Sequence, residues 1–225
     1  MLESDNGGAT WRVRKSGTTK ALRALWVSTE DNEGKRLCAA GDNGAIVMSV
    51  DGGTTWTVRN SGTSKNFATV VGISNPLHLW VTGDSGTIVQ SGDNGKTWKA
   101  ETSGTDERLV SIWVPGWRNG GTGPFWIATR NGAILASQDG NAPWDTLRGD
   151  GGNPLIFISG PMDGLHLWAL GGSGTILGSD DRGATWNLRK SGTNENLNAS
   201  FATGNNSEAW AVGDHGVILR SDPTI

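Results

Sequence analysis

Short apolar runs alternate along the chain with turns rich in glycine, asparagine and aspartate. Residues 67–73, 77–82, 87–91 and 97–101 illustrate the pattern, and each run contains β-branched or aromatic side chains. Gly83-Asp84-Ser85-Gly86 marks a tight turn between the second and third runs. Runs of this length, bounded by turn residues, are typical of strands rather than helices. The pattern predicts four short antiparallel strands in a unit of about 42 residues.

This unit is repeated along the whole chain. A motif of the form S-x-D-x-G-x-T-W occurs five times, with Asn6 in place of Asp in the first copy and a degenerate fourth copy. A second tryptophan series follows the same spacing, and Cys38 occupies its position in the first unit. The motif copies span residues 4–11, 49–56, 91–98, 137–144 and 179–186, and the second series is Trp80, Trp126, Trp168 and Trp210. Four strands per repeat are typical of β-propeller blades.

We therefore predict an all-β fold, a five-bladed β-propeller with four antiparallel strands per blade. The chain begins with a fourth-type strand at residues 10–14 and ends with the first three strands of a blade at residues 197–221. The N-terminal strand is expected to complete the last blade and close the ring, which removes exposed sheet edges. The similarity of Leu2-Glu3-Ser4-Asp5 to Leu219-Arg220-Ser221-Asp222 supports this closure. Residues 1–225 form one predicted domain, with blades at about 19–62, 63–104, 105–149, 150–192 and 193–225 plus 1–17.

Composition agrees with a turn-rich β protein and excludes several functions. The 225 residues include 35 glycines, 12 tryptophans and no tyrosine, and the net charge is −3. Mixed charges give no broad basic face for nucleic acid. The single cysteine excludes an intrachain disulfide, and no apolar run approaches the roughly 18 residues of a membrane span. The three histidines are far apart in sequence, and no cofactor or metal is predicted.

The repeated residues themselves are interpreted as structural. Gly52 and Gly53 suit a hairpin turn, the Asp51 carboxylate accepts backbone N–H bonds inside it, and Trp56 is expected to pack between neighbouring blades. One carboxylate per turn supplies too few oxygen ligands for a calcium site, which is the alternative. Cys38 stands in a tryptophan position and is expected in the core.

The residues that break the repeat are the candidates for function. In a four-stranded blade, the loop after strand four and the turn between strands two and three lie on one face of the ring, where propellers commonly bind. Arg130 is the clearest departure, because the equivalent turn position is Asp in three units and Gly172 in another. The candidate contact residues on this face are Asp42, Asp84, Asp214, Arg130, Lys20, Lys65 and Arg108, with Glu195 in the same series.

The opposite face carries a separate candidate, Trp117. It lies in the glycine-rich loop 115–124, outside both tryptophan series. An exposed ring there would stack on a sugar or a partner chain, or it would fold back as a lid, and both interpretations stay open. Trp26 and Trp113 share one position of the innermost strand and are expected in the core rather than lining a pore.

Three motifs carry a family resemblance. They are the S-x-D-x-G-x-T-W copies, the W-x-x-x-x-S-G-T spacing and the W-x-x-G-x-x-G-x-I run, for example at residues 210–218. Together they resemble Asp-box propellers, also called bacterial neuraminidase repeats, over nearly the whole chain. The Trp…Ser-Gly-Thr…Leu variant is similar to the branch that includes photosystem II assembly and stability factors. The resemblance implies a scaffold or assembly role outside the cytoplasm (periplasmic, lumenal or secreted), and no signal peptide is evident in the sequence.

An enzymatic function is not expected. Asp-box repeats also occur in sialidases, whose chemistry in the family uses a tyrosine nucleophile, and this chain has no tyrosine. Other propeller glycosidases use paired carboxylates on the inner strands. The predicted inner strands, residues 22–28, 67–73, 109–115, 155–160 and 197–203, contain no Asp or Glu.

The sequence thus predicts a non-enzymatic binding propeller, a protein-interaction or assembly scaffold that uses one face of the ring. A carbohydrate-binding lectin with sites at or between blades is the alternative, and a designed or excised set of blades without a native ligand is a further one. The expected partner is a protein or a glycan, with no nucleic acid and no membrane span. The protein is expected to be a monomer.

Overall fold

The structure is a computed structural model that describes residues 1–28, 35–74, 77–115, 123–148, 152–161, 164–202 and 209–221. Two compact units make up the chain, Met1–Glu101 and Thr102–Ile225. The described residues are almost entirely strands and turns, as expected for an all-β protein. In this part of the chain, no helix has the length and apolar character needed to span a bilayer.

The first unit contains an N-terminal hairpin and two larger sheets. The hairpin pairs β1 (Leu2–Glu3) with β2 (Arg12–Val13). Sheet A contains β3 (Leu22–Val27), β4 (Leu37–Gly41), β5 (Ile46–Ser49) and β6 (Thr57–Arg59). Sheet B contains β7 (Phe67–Ser74), β8 (Leu77–Gly83), β9 (Thr87–Ser91) and β10 (Lys99–Thr102).

The second unit contains three sheets. Sheet C contains β11 (Leu109–Trp113), β12 (Phe125–Thr129), β13 (Ile134–Ser137) and β14 (Asp145–Arg148). Sheet D contains β15 (Leu155–Ser159), β16 (Leu167–Gly171), β17 (Ile176–Ser179) and β18 (Asn187–Arg189). Sheet E contains β19 (Leu197–Ala202), β20 (Ala209–Gly213) and β21 (Ile218–Arg220).

Sheets A to D each have the four antiparallel strands, paired in chain order, that the sequence predicts. Their registers repeat: Cys38 pairs with Met48 in sheet A, and Trp126 pairs with Ala136 in sheet C. The inner strand of each sheet shows a register shift near its start, between Leu22 and Ala24 in sheet A. Such bulges increase local twist, which suits blades that must rotate relative to their neighbours.

The prediction of five blades is wrong, because the described strands form six sheets. The N-terminal strand β2 pairs with β1, with Leu2 opposite Val13 and Glu3 opposite Arg12. Leu2-Glu3 is itself a third-type strand, so β2 finds a partner across one short turn. Pairing across a short hairpin loop costs far less closure entropy than pairing with the distant last repeat. Ring closure by the N-terminal strand stays a prediction.

The core lies between sheets rather than within one. One buried cluster joins sheets A and B and includes Cys38, Ile46, Phe67 and Leu79. Burial raises the pKa of the Cys38 thiol to about 12, so this cysteine is an inert core residue as predicted.

In the second unit, the equivalent cluster joins sheets C and D. It includes Trp126, Ile134, Leu155 and Ile158. A smaller cluster, with Leu170 and Leu197, joins sheets D and E. Each sheet therefore buries both faces only when a neighbouring sheet stands on either side.

The tryptophans occupy three environments. Trp80 and Trp126 are buried, whereas Trp98 and Trp186 of the Asp motif pack at the margins of the two main clusters. Trp11, by contrast, is 61% exposed, so the expected packing of the motif ring between blades fails in the N-terminal hairpin. The inner-strand residues Trp26 and Trp113 also pack against the two clusters, which confirms them as core side chains: Trp26 in the cluster of sheets A and B, and Trp113 in that of sheets C and D.

Replacing Trp126 with Ala should destabilise the protein by about 3–5 kcal/mol, because it removes a ring that is 1% exposed and leaves a cavity between sheets C and D. The measurement is the free energy of unfolding by chemical denaturation. Trp11→Ala is the matched control, and its free energy should change by no more than about 0.5 kcal/mol. A loss below about 1 kcal/mol for Trp126→Ala would contradict this assignment of the core.

Candidate functional site

The strands of each sheet end at two opposite sides, which we call edges, and the connections at the two edges differ. At one edge, the short turn after the second strand bonds to the loop that leads into the next sheet. Gly44 N–H donates to the Lys65 carbonyl at 2.8 Å, and Gly174 N–H donates to the Glu195 carbonyl at 2.7 Å. We call this the turn–loop edge. At the opposite edge, the Asp-motif turn meets the loop between strands one and two, where Gly52 N–H donates to the Lys35 carbonyl at 3.0 Å.

The turns at the turn–loop edge are held by backbone bonds that do not depend on side chains. In all five sheets A to E, the first turn residue donates its N–H to the carbonyl just before the inner strand, at 2.8–2.9 Å. The donors are Asp42, Asp84, Arg130, Gly172 and Asp214. Since Asp, Arg and Gly all fit the same bond, the side chain at this position is not required for folding.

The aspartates predicted as contacts nevertheless have partners inside the protein. Asp42 accepts two bonds from the Arg23 guanidinium, at 2.5 and 2.8 Å. Asp84 accepts from the Asn66 amide at 3.0 Å. Lys65 donates its ammonium to the Ser85 hydroxyl at 3.2 Å. Within the first unit, the predicted residues are therefore brought to one edge but are used in local contacts.

Two asparagines connect neighbouring sheets at this edge. The Asn66 side-chain oxygen accepts from Asn43 N–H of sheet A, while its amide bonds Asp84 of sheet B. Asn196 repeats the arrangement between sheets D and E with Ser173 and Asp214, at 3.2 and 2.9 Å. Sequence reasoning missed both asparagines and Arg23. An asparagine directly before the inner strand in two repeats was the available signal.

Sheet E places two carboxylates, Asp214 and Glu195, and the imidazole of His215 at the turn–loop edge. Hydrogen bonds from Asn198 and then Asn196 lower the pKa of Asp214. His215 lies 2.8 Å from a Glu195 oxygen, and this carboxylate raises the pKa of the imidazole. His215 is exposed and the two carboxylates are half-buried, and each has a partner within sheet E.

Sheet C differs from the others. Its turn carries Arg130, which is exposed and whose N–H donates to the carbonyl of Arg108, also exposed, at 2.9 Å. The turn is closed by Gly132 N–H donating to the Thr129 carbonyl at 3.2 Å. Arg148 donates to the Gly132 carbonyl at 2.7 Å, the role that the Ser61 hydroxyl has for Gly44 in sheet A. The loss of Ser-Gly-Thr in the fourth unit is thus compensated by Arg148, a residue that sequence reasoning missed.

Lys20 lies at a cavity of about 490 Å³ in the first unit. The cavity lies between the N-terminal hairpin and the inner strand of sheet A, lined by Met1 and Ser16 on one side and Leu22 and Leu25 on the other. Trp117, the remaining candidate, lies outside the described residues.

The Asp-motif turns are self-contained. The Asp51 carboxylate accepts from the Thr55 hydroxyl at 2.6 Å, from Thr55 N–H at 2.9 Å and from the Ser49 hydroxyl at 2.8 Å. The Trp56 indole N–H donates to the Gly53 carbonyl at 2.9 Å. No group of three or more His, Cys, Asp or Glu side chains in the described ranges is placed to hold a metal ion. The bonds of the Asp51 carboxylate are the local turn bonds that the structural interpretation predicted.

The same bonds lower the pKa of Asp51 to about 2, chiefly through the Thr55 hydroxyl and then the Thr55 N–H. The Asp93 pKa is also lowered to about 2, through Thr97. An unfolded Asp has a pKa near 3.9. The unfolded chain therefore binds protons first as the pH falls, so stability is complete above about pH 4 and is lost towards pH 2.

Asp51→Asn combined with Asp93→Asn should weaken the fall of Tm between about pH 4 and pH 2. Asn6 shows that an amide keeps this turn, because its oxygen accepts Thr10 N–H at 2.9 Å and its nitrogen donates to the Thr10 hydroxyl at 2.9 Å. Tm at neutral pH should consequently change little. The control is Asp145→Asn on β14, which should retain the acid dependence. An unchanged acid profile in the double variant would contradict the prediction.

Comparison with known proteins supports the fold. No protein-family model matches the chain, and no curated protein matches its sequence. YCF48 from Cyanidioschyzon merolae is similar, with a TM-score of 0.72 and 19% identity over 99% of this chain and 76% of that one. A structure of YCF48 bound to D1 peptide gives a TM-score of 0.73 and 20% identity over 98% of this chain and 70% of that one.

An ancestral GH74 enzyme is also similar, with a TM-score of 0.63 and 14% identity over 89% of this chain and 33% of that one. At these identities the three likenesses establish a shared β-propeller fold. They agree with the β-propeller fold that the family resemblance implied.

Proposed function

We propose that this chain is a non-enzymatic propeller that binds a protein partner as an interaction or assembly scaffold. The observation that carries the proposal is Arg130, an exposed cation at the turn–loop edge of sheet C, in a turn whose 2.9 Å backbone bond to the Arg108 carbonyl does not require the Arg130 side chain. A carboxylate of a partner would bind its guanidinium in the bidentate geometry that arginine favours.

The contrast with the other sheets supports this choice of edge. At the position of Arg130, sheets A, B and E carry aspartates that bond to Arg23, Asn66 and Asn196 within the protein. Sheet C replaces the anion with a cation. The expected partner therefore presents an acidic peptide segment, and Arg130 and Arg108 are its proposed contacts.

A binding role agrees better than catalysis with the inner strands. Strands β3, β7, β11, β15 and β19 contain no Asp or Glu, although glycosidases of this architecture need paired carboxylates near the axis. The YCF48 structure that holds a D1 peptide supports a peptide as the class of ligand, by analogy. The lectin alternative, with sugar sites at or between blades, is retained as an outcome of the test.

Arg130→Asp restores the charge found at this position in sheets A, B and E, and it should weaken binding of acidic peptides by at least about tenfold. The probe is an array of synthetic peptides that vary in acidic content, followed by titration of the best binder. Lys96→Ala, a cation of the Asp-motif turn at the opposite edge, is the matched control and should bind normally.

The results separate the alternatives. Binding that is competed by a simple sugar and is unaffected by Arg130→Asp would favour the lectin. Peptide binding without an acidic preference, equally strong in Arg130→Asp, would show that Arg130 is not the site.

A further inference from the structure

The last sheet exposes an apolar face that is buried in the other sheets. In sheets A and C, the face towards the following sheet is covered, so that Ile46 and Ile134 are both fully buried. The equivalent residue of sheet E, Ile218, is 66% exposed. Trp210, Val212 and Phe201 lie on the same face and are 40%, 45% and 70% exposed. We call these four residues the tail face.

Sheet A exposes the complementary face. Leu25 of the inner strand is 53% exposed, whereas its equivalents Val70 and Ile158 are 6% and 1% exposed because the preceding sheet covers them. Val27, two residues further on β3, is 39% exposed. We call Leu25 and Val27 the head face. The 490 Å³ cavity lies against it, beside the N-terminal hairpin.

We propose that the tail face of one molecule docks on the head face of a second copy, head to tail. The argument is continuity with the interfaces already present in the chain. Sheets A and B, C and D, and D and E pack through the same repeat positions, the tail-type face of one against the head-type face of the next. A second copy supplies a head face, and its repeat positions are the same as those that already pack against tail-type faces within the chain.

Side-chain sizes across the interfaces are complementary. Trp26 of sheet A lies over Gly72 of sheet B, so closely that a Cβ on Gly72 would be 2.8 Å from the indole. Trp113 of sheet C contacts the equivalent glycine of sheet D through a hydrogen bond, in which its indole N–H donates to the Gly160 carbonyl at 3.1 Å.

At the proposed interface, the equivalent positions are Phe201 and Val27. A smaller ring meets a larger partner residue there, so the combined volume is similar to that of Trp26 with Gly72 and of Trp113 with Gly160.

A backbone hydrogen bond is also available across the proposed interface at the turn–loop edge. By equivalence with the bond from Gly44 to Lys65, Gly216 N–H of one molecule would donate to the Lys20 carbonyl of the other. Strands β1 and β21 occupy the same third position of the repeat. Docking therefore requires β21 of one molecule to displace the two-residue β1 from its pairing with β2 of the other.

This interface joins different surfaces, so copies that dock through it form a closed ring or a longer open chain, depending on the rotation between them. It differs from the monomer expected from the sequence, because the sequence does not reveal which faces stay uncovered.

The test uses two variants that each disable one face, Leu25→Glu on the head and Phe201→Glu on the tail. Sedimentation over a wide range of protein concentration should show association of the native chain and its loss in each variant alone. An equimolar mixture of the two variants should form a 1:1 dimer, because one intact tail and one intact head remain. Leu188→Glu, on exposed strand β18, is the matched control and should associate like the native chain.

Circular dichroism and thermal melting check that each variant is folded. Val27→Glu replaces Leu25→Glu on the head face, and Ile218→Glu replaces Phe201→Glu on the tail face, if the first choice does not fold. A native chain that is monomeric at every concentration would overturn the proposal and favour closure of each ring on itself. Association of Leu25→Glu alone would indicate tail-to-tail contact and would also overturn it. A mixture that stays monomeric would do the same.

Discussion

Packing of one sheet face against the next is the interaction on which this protein depends. A four-stranded sheet of such short strands buries too little by itself, and its two faces are both apolar. The clusters around Cys38 and Phe67 in the first unit, and around Trp126 and Leu155 in the second, supply the missing burial. Large rings are accommodated by small partners, as with Trp26 over Gly72. Stability is accordingly a property of neighbouring pairs of sheets rather than of any single sheet.

The two edges of each sheet differ in whether side chains or the backbone hold the turn. At the Asp-motif edge, the side chains themselves make the turn, so Asp51 and Thr55 satisfy each other. At the turn–loop edge, the backbone makes the turn, and the first side chain is free to vary from Asp42 to Arg130 without loss of the bond. A rigid frame with variable side chains is the arrangement that binding surfaces generally use. The turn–loop edge is therefore the proposed binding surface, because folding does not require a particular side chain at the first turn position.

The proposed peptide-binding edge and the proposed head and tail faces have different physical origins. The first is polar and depends on the exposed cation Arg130, which stands where sheets A, B and E carry aspartates. The second is apolar and depends on repeat positions that are exposed in sheets A and E but buried in other sheets, as at Leu25 and Ile218. A protein that both binds a peptide and associates with its own copies, as proposed, would use the two surfaces independently. Substitutions at one should leave the other unchanged.

Much of this molecule followed from the sequence alone. Apolar periodicity and turn residues determined the strands, the four-stranded sheets, the turn chemistry of Asp51 and the core position of Cys38, because all of these are set by residues close together in the chain. Tertiary structure decided the rest. The pairing of β2 with β1, the partners of Asp42 and Asp84, the role of Arg148 and the exposure of Phe201 depend on which distant segments compete for the same edge or face. Such competition is settled by closure entropy and by packing across sheets. Because the repeat units have similar sequences, the sequence alone carries little information about which sheet faces stay exposed.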